Sequence, residues 1–545
     1  MLIIGGGING IATFRELALQ GLDVVLVERD DFASAASASS SHMIHGGIRY
    51  LENGEFRLVK ESVQERNALL RTSPHRVVPL PTTIPIYSTF SGILSAPLRF
   101  LTHRHRGKPT ERGALLIKVG LTIYDTFSRD GGSVPRHRFR TKKKAHADLP
   151  ALDPAVRYTA TYYDAAMHDP ERLALDVLLD GEGADAVALN YVEAVGRDGE
   201  AVLLRDRETG REFGIRADVV VNASGPWTDL TNKALGAETR YMGGTKGSHI
   251  VLDNPELLAA TQGREIFFEH SDGRIVLIYP LKGRVMVGTT DIDADPSVPT
   301  RCTEEEVDYF FDLVTHVFPQ IAVDREQIVY RFSGIRPLPR HEDTQPGFVS
   351  RDYRVEVERG ENQSVVSLVG GKWTTFRAIG ESVADAVLGV LGRARTVSTV
   401  GRVLPGSLGY PRDGVAREDW MRVHLADVSP KRREVLFDRY GVRAAEVAAL
   451  IAERDDEELA QGALSTGELR WMLDHEHLVH LADLVLRRTD LAFTGRLDAA
   501  LLHRLADALA AEAGWDAARR ERELADCGEL LAAAHGLVGL AEAHV

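Results

Sequence analysis

A glycine-rich turn close to the start of the chain constrains the fold more than any other feature of the sequence. Residues 5–10 read G-G-G-I-N-G and lie between an apolar run and a stretch with the apolar spacing of a helix. A second apolar run, residues 24–27, ends at Glu28. Such a turn lets backbone N–H groups approach a pyrophosphate, and a carboxylate after the second strand can bind a ribose. The pattern predicts an α/β dinucleotide-binding domain and does not separate NAD from FAD.

Composition excludes several classes of protein. The chain has 545 residues, too many for one hydrophobic core, and two cysteines far apart, which excludes a disulfide framework or a cysteine-bound iron–sulfur cluster. Any redox chemistry therefore needs an organic cofactor. A net charge of -14 argues against nucleic-acid binding. Because no apolar run reaches the roughly 20 residues of a membrane span and no secretory leader is evident, we expect a cytoplasmic protein.

Two further turns of small residues are able to close over the same dinucleotide. An apolar strand at 219–221 leads into N-A-S-G-P-W at 222–227. Residues 370–375, G-G-K-W-T-T, open a helix whose free N–H groups suit the negative charge of a reduced flavin. Each turn also has a purely structural interpretation, as a tight turn after a buried strand and as an ordinary helix start. Together with the first turn they favour FAD.

The rest of the chain divides by the character of its segments. Residues 75–150 are rich in Pro, Arg and His and are interpreted as an inserted segment, whereas alternating stretches within 240–330 predict a substrate-facing sheet. After residue 404 the sequence predicts a separate helical domain, in which leucines recur every four positions over 497–509 and Gly514 ends the helix.

Nearly the whole chain resembles the FAD-dependent glycerol-3-phosphate dehydrogenases. The resemblance rests on short strings in a fixed order, at residues 5–10, 45–52, 222–227, 246–249, 288–291, 333–337, 350–353, 370–375 and 468–489. It implies an α/β fold with a Rossmann-like FAD-binding domain of the p-hydroxybenzoate-hydroxylase type, a sheet-bearing substrate domain and an α-helical C-terminal domain. The implied domains are 1–75, 150–238 and 330–395 for FAD binding, 76–149 and 239–329 for substrate binding, and 400–545 for the helices.

The resemblance also implies which residues surround the substrate phosphate and the flavin edge. They are Arg49, Tyr50, His249, Arg336, Arg351 and Lys372. A phosphate dianion bound by so acidic a chain needs several charge-assisted partners, which Arg and Lys provide. A solvated surface position is the alternative for an isolated Arg. Arg49, however, follows two glycines, and Arg336 lies between Gly334 and Pro337.

A second set of residues is predicted to bind FAD. It consists of Gly5, Gly7, Ile8, Asn9, Gly10, Glu28, Ser37, Ser41, Val192, Ser224, Gly225, Gly371, Lys372 and Thr374. The sequence departs from the family at Ala36 and His42, where Thr and Lys are usual, and this departure bears on the pyrophosphate contacts. No metal site is predicted, because His475, His477 and His480 do not form H-E-x-x-H and have no evident third ligand.

The implied reaction is the oxidation of sn-glycerol 3-phosphate to dihydroxyacetone phosphate by hydride transfer to the flavin. We expect His249 to be the general base, because imidazole titrates near neutral pH. A structural or substrate-orienting histidine is the alternative, and Arg336 could instead stabilise the developing alkoxide as a second catalytic residue.

The implied electron acceptor is a quinone, within glycerol metabolism. This acceptor requires peripheral contact with the inner face of the cell membrane. An oxidase that uses dioxygen and a non-catalytic flavin-containing binding protein are the alternative functions. The sequence leaves a homodimer open.

Overall fold

The chain folds into two large β-sheets and an α-helical C-terminal domain. The computed structural model describes residues 1–47, 55–89, 113–127, 134–270, 274–340, 352–453 and 455–542. Three predicted substrate-binding residues, Arg49, Tyr50 and Arg351, lie outside the described residues, so their roles stay predictions.

The first sheet has six strands drawn from distant parts of the chain. Its central strand, Leu2–Ile4, pairs in parallel with Val24–Val27 on one side and Val219–Asn222 on the other. These strands are largely buried, as their unbroken apolar runs predict. In order across the sheet the strands are Arg354–Arg359, Ser364–Val369, Val219–Asn222, Leu2–Ile4, Val24–Val27 and Ala186–Leu189.

Helices pack against this first sheet. Ile8–Leu19 lies against Phe376–Val390, and Gly380 permits their close approach, since a Cβ there would lie 2.8 Å from the Ala12 carbonyl carbon. Pro170–Leu179 and Thr228–Ala234 are further helices beside this sheet, whereas Phe56–Thr72 lies against the strands Val77–Ile86 and Tyr158–Met167 and the turn Trp373–Thr375. A small antiparallel sheet is formed by Val192–Asp198, Ala201–Asp206 and Glu212–Arg216.

The second sheet has ten strands and is mostly antiparallel. The helices Pro255–Ala260 and Glu304–Val317 pack on one face through a shared apolar core. Lys142–Asp148 is a short helix beside the strand Arg138–Thr141. Along its main path the strands are Ile292–Asp293, Thr245–Leu252, Arg284–Gly288, Ile275–Leu281, Glu265–Glu269, Val77–Ile86, Tyr158–Met167 and Met43–Ile44. Ile328–Arg336 pairs with Thr245–Leu252, and Arg138–Thr141 pairs with Tyr158–Met167.

This sheet crosses the predicted domain boundaries at residues 150 and 330. Tyr158–Met167 pairs along its whole length with Val77–Ile86, although the two strands lie on opposite sides of the first boundary. Ile328–Arg336 likewise belongs to this sheet, although most of it lies in a segment predicted for FAD binding. A strand belongs to a sheet through its hydrogen bonds to neighbouring strands, which can be far away in the sequence. A change of composition along the chain does not reveal which strands will pair.

The C-terminal domain packs on the other face of the second sheet. Its apolar core is continuous with sheet residues such as Val251, Tyr279 and Phe332. As predicted, Gly514 ends a helix in the left-handed conformation, at a φ of 70°. The helices are Gly414–His424, Pro430–Tyr440, Ala444–Ala452, Thr466–His475, Leu481–Asp483, the π-helical turn Leu484–Arg488, Ala499–Ala513 and Ala517–His535, with the strands Glu458–Ala460 and Leu464–Ser465 between them.

The helices of the fold are short relative to a lipid bilayer. Within the described ranges, every helix is too short or too polar to traverse a bilayer. The long apolar run near residue 120 forms the helix Ala114–Phe127, of only 14 residues.

Candidate active site

The glycine turn at residues 5–10 is closed too tightly for side chains. A Cβ on Gly10 would lie 1.9 Å from Gly5 O, and Gly5 has a φ of 108°. Gly6 donates its N–H to Glu28 Oε2 at 2.6 Å. The helix Ile8–Leu19 begins at this turn, so its positive dipole end faces the place that a pyrophosphate would occupy.

Glu28 joins the glycine turn to the neighbouring small sheet. Its carboxylate also accepts the N–H of Asp30 at 3.0 Å, and its carbonyl accepts the N–H of Val192 at 2.8 Å. Burial raises the pKa of Glu28 above its ordinary value, while the N–H donors of Asp30 and Gly6 lower it. Two predicted cofactor residues, Glu28 and Val192, are therefore direct neighbours.

The segment of residues 31–42, here named the serine loop, lies over the glycine turn. Ile8 donates its N–H to Ser37 Oγ at 3.0 Å. The indole Nε1 of Trp373 donates to Ser37 O, also at 3.0 Å. The serine loop thus connects the glycine turn with the third predicted turn, residues 370–375.

The turn after the strand Val219–Asn222 approaches the glycine turn from the other side. Asn222 Oδ1 accepts the Ser224 N–H at 3.2 Å and the Ser224 hydroxyl at 2.6 Å. Gly225 follows with a φ of 61°. A Cβ on Gly5 would lie 2.6 Å from Ala223 O, so the backbones of the two turns are in contact.

The turn at residues 370–375 is the third of the turns that surround the predicted cofactor site. Gly371 has a φ of 115°, and a Cβ there would lie 2.5 Å from Asn9 Nδ2. Thr374 Oγ1 donates to His45 O at 3.1 Å, and Lys372 Nζ donates to Ser62 Oγ at 2.5 Å. The three turns that were predicted separately from the sequence therefore meet at one place.

His249 lies on the second sheet, facing the serine loop. Its Nε2 is 2.8 Å from Ser41 Oγ, and its ring stacks on Phe332 with the centroids 4.7 Å apart. A Cβ on Gly288 would lie 2.1 Å from His249 Cδ2, so a larger residue there would displace the imidazole. Burial, with Arg336 and His42 nearby, lowers the pKa of His249 well below 6.5. The imidazole is therefore neutral at physiological pH.

Arg336 lies on the strand next to His249 and is held by the loop after Gly288. Its Nη1 pairs with Asp291 Oδ1 at 2.9 Å, and its Nη2 donates to Thr289 Oγ1 and Thr290 O at 2.9 Å. The side chain is 20% exposed, so it is partly accessible. This arrangement holds the guanidinium in one orientation, with a carboxylate as its present counter-ion.

Sequence reasoning missed two residues of this site, Asp291 and Phe332. Asp291 stands inside the string 288–291 but was assigned no role, and its ion pair with Arg336 joins positions far apart in the chain. Phe332 was missed because an aromatic residue on a predicted strand is typical of any core. The alternation of side chains along Ile328–Arg336, which puts Phe332 next to His249 across the ladder, was the available signal.

The arrangement fits a bound dinucleotide with a ring system beside His249. Asn9 Oδ1 and His249 Nδ1 are buried without a hydrogen-bond partner in the part of the chain that the structure describes, and such atoms need a partner that a ligand can supply. Gly5, Gly10 and Gly371 bring the turns into close contact, because a Cβ on each would overlap another protein atom. The donor set of backbone N–H groups, Ser, Asn and Lys suits the phosphates and the polar edge of FAD.

Comparison with known proteins decides the family. The model of the family described as FAD dependent oxidoreductase matches residues 1–386, and that of the C-terminal domain of alpha-glycerophosphate oxidase matches residues 367–520. A glycerol-3-phosphate dehydrogenase of Synechocystis sp. is 35% identical in an alignment of 473 residues, which covers 83% of this chain and 80% of the relative. The chain belongs to the FAD-dependent glycerol-3-phosphate dehydrogenase family.

The chain is also similar to a dehydrogenase of another sugar-alcohol phosphate and to a solved structure. The D-erythritol 1-phosphate dehydrogenase of Brucella abortus is 30% identical over 509 residues, covering 90% of this chain and 93% of the relative. The solved structure of a glycerol-3-phosphate dehydrogenase from Bacillus halodurans, complexed with FAD, has a TM-score of 0.75 and 23% identity. It covers 98% of this chain and 94% of its own.

Four predictions are thereby confirmed. They are the glycerol-3-phosphate dehydrogenase family, the α/β fold with a helical C-terminal domain, FAD as cofactor, and activity as an FAD-dependent oxidoreductase. The roles of the individual residues around the cofactor stay predictions.

Proposed function

We propose that the chain oxidises sn-glycerol 3-phosphate to dihydroxyacetone phosphate and passes the electrons to a quinone-type acceptor in glycerol metabolism. The observation that carries this proposal is a neutral, buried His249 beside the fixed guanidinium of Arg336, next to the cofactor turns. A secondary alcohol needs a base for its hydroxyl proton, and a phosphate needs cations. Membership of the family supports the same substrate.

Arg336 and Lys372 bind the substrate phosphate in this proposal. Both are cationic groups already oriented by hydrogen bonds, Arg336 to Thr289 and Lys372 to Ser62. Little side-chain entropy is then lost when the dianion binds, which favours affinity. The negative charge of the phosphate also offsets the charge of Arg336, which raises the proton affinity of His249 once substrate is present.

Proton removal is assigned to Ser41 and His249. The Ser41 hydroxyl lies 2.8 Å from Nε2 of His249. In this proposal it donates to that nitrogen, and its oxygen accepts the proton of the substrate alcohol. The proton then rests on Nε2. FAD, when bound, supplies the acceptor for the hydride from carbon. Stacking on Phe332 holds the imidazole in place.

Anaerobic mixing tests the reaction and its substrate. We expect sn-glycerol 3-phosphate to abolish the absorbance of the oxidised flavin, whereas glycerol, which lacks the phosphate, leaves it unchanged. D-erythritol 1-phosphate is the informative competitor, because the Brucella relative is named for it. Faster reduction by the tetritol phosphate would contradict the three-carbon substrate. An unchanged spectrum with every phosphorylated alcohol would contradict the dehydrogenase function and favour a binding protein.

An oxidase is the second candidate function. The observation that favours it is the match of residues 367–520 to a domain described from alpha-glycerophosphate oxidase. An oxidase would form one hydrogen peroxide per substrate consumed in air. We expect far less peroxide, and rapid turnover when a soluble quinone is added; the opposite result would favour the oxidase.

Contact with a membrane is proposed from the exposed face of the helix Ala114–Phe127. Leu115, Val119 and Ile123 recur every four residues and are 48%, 50% and 39% exposed, whereas Tyr124 is buried. An apolar stripe of this kind is typical of an interfacial helix. In sequence, the preceding residues 90–112 carry five Lys or Arg and one acidic residue, which suits anionic lipid headgroups.

Replacing this stripe should release the protein from lipid. We expect Leu115→Gln, Val119→Gln and Ile123→Gln together to lower binding to vesicles of phosphatidylglycerol and phosphatidylcholine by about tenfold or more in a flotation assay, because apolar burial is lost. Anaerobic flavin reduction should remain unchanged. The control replaces Leu408, Val415 and Val423, which are even more exposed and lie in the C-terminal part of the chain, by Gln. Equal loss in both triple variants would contradict a docking role for the helix.

A further inference from the structure

The start of the serine loop is held by the C-terminal domain. The carboxylate of Asp31 is fully buried and receives two bonds from Arg488, Nη1 to Oδ2 at 2.7 Å and Nη2 to Oδ1 at 2.8 Å. Arg487 adds a bond from Nε to Oδ2 at 2.5 Å. Both arginines belong to the π-helical turn Leu484–Arg488. Two arginines from one domain thus enclose one carboxylate of another.

The two arginines are themselves oriented by further hydrogen bonds. Arg488 Nε donates to Glu476 O at 3.0 Å. Arg487 Nη2 donates to Asp483 Oδ1 at 2.6 Å, and the same oxygen accepts the Tyr191 hydroxyl at 2.6 Å. Two buried cations therefore face two buried carboxylates, with their donors directed at acceptors. Because these four side chains are buried, displacing any one of them would leave an uncompensated charge away from water. The ion pairs therefore hold one geometry.

The backbone after Asp31 adopts a conformation that needs such support. Ala33 and Ala35 have φ values of 56° and 53°, in the left-handed region that residues with a Cβ rarely adopt. Strained residues persist when the surrounding structure fixes them. The Ala33 N–H is bonded to Gly6 O at 2.9 Å. The strained segment therefore lies between the Asp31 ion pairs and the glycine turn.

We propose that Arg487 and Arg488 clamp the serine loop in the conformation that binds FAD, so that the C-terminal domain sets the affinity for the cofactor. The clamp acts through Asp31 on the serine loop, and the loop then presents Ser37 Oγ to the Ile8 N–H, at the start of the helix Ile8–Leu19. Both arginines are positioning residues. They lie more than 450 positions from Asp31 in the sequence, and no prediction from motifs assigned them a role.

The test compares two buried arginines at the same domain interface. Arg172, on the helix Pro170–Leu179, pairs with both oxygens of Glu476 at 2.5 and 2.8 Å, and so joins the same two domains without touching the serine loop. Arg488→Lys and Arg172→Lys each keep the charge and remove the planar two-point contact. The readouts are the dissociation constant of FAD from protein stripped of flavin, by quenching of flavin fluorescence, and the thermal midpoint of the stripped protein.

We expect Arg488→Lys to raise the FAD dissociation constant about tenfold or more, a typical coupling between separate sites. Arg172→Lys should change it by less than about threefold, while both variants lower the thermal midpoint of the stripped protein. An unchanged FAD affinity in Arg488→Lys, or equal weakening in both variants, would overturn the clamp. These measurements need no substrate, so they do not depend on the proposed reaction.

A second variant covers the case in which Arg488→Lys does not fold. Arg487→Lys removes the Nε bond to Asp31, and this side chain is less deeply buried, at 11% exposure against 0% for Arg488. The same selective loss of FAD affinity relative to Arg172→Lys supports the clamp. Equal affinities in Arg487→Lys and Arg172→Lys overturn it.

Discussion

A His249→Asn protein is expected to bind FAD as the unaltered protein does and yet to reduce it about a thousandfold more slowly with sn-glycerol 3-phosphate, the typical contribution of a positioned base. Asparagine fills most of the space between Phe332 and Ser41, so the change removes the proton acceptor with little loss of packing. The measurement is the anaerobic single-turnover decay of the oxidised-flavin absorbance. Phe332→Leu is the control, because it removes the stacked ring and leaves the imidazole.

A single-turnover rate within about threefold of the unaltered protein would exclude His249 as the base. The pH dependence supplies a second check. Because the pKa of His249 is held well below 6.5, the imidazole keeps its lone pair as the pH falls through 6.5 and loses it only in more acidic solution. The apparent second-order rate constant of flavin reduction at low substrate concentration, which reports the free protein, should therefore be level around that pH and decline below it. An acidic limb centred near 6.5 that His249→Asn removes would contradict the buried environment.

Gly10→Ala is expected to raise the dissociation constant of FAD about a hundredfold, so that the purified protein retains little flavin. The added methyl would lie 1.9 Å from Gly5 O, a backbone atom of the same turn, so the turn must open to admit it. Forced overpacking of this kind costs roughly 1–3 kcal/mol or more, and here the whole cost falls on the cofactor turn. Absorbance of bound flavin in the purified protein, and its dissociation constant, measure the effect.

Gly389→Ala is the matched control for that substitution. Gly389 lies in the helix Phe376–Val390, and a Cβ there meets nothing within 4 Å. Alanine is favoured over glycine inside a helix by roughly 1 kcal/mol, so this variant should bind FAD normally and gain some stability. Normal flavin content in Gly10→Ala would show that the turn is more open than its geometry indicates.

The parts of the site that sequence predicted are those fixed by local geometry. Spacing along strand, turn and helix suffices to place Glu28 beside Gly6, because both lie at the ends of neighbouring strands. Glycine at 514 ends its helix for an equally local reason, the left-handed backbone that it adopts without strain.

The parts that sequence could not predict depend on contacts between distant segments. The pairing of Asp291 with Arg336 follows from which strands become neighbours in the second sheet. The domain boundary at residue 150 differs from the observed sheet for the same reason, since Tyr158–Met167 finds its partner across it. In the helix Ala114–Phe127 apolar residues occur all round, so periodicity alone could not tell which of them would face outward.

The position of Leu2–Ile4 in the middle of the first sheet has a consequence for biosynthesis. This strand is made before both of its neighbours, and one of them, Val219–Asn222, is translated more than 200 residues later, with Ser364–Val369 later still. A nascent chain cannot assemble the sheet in the order in which it is made. The flavin can therefore be captured only after most of the polypeptide has been released from the ribosomal tunnel, and the newly made N-terminal segment must stay soluble until then.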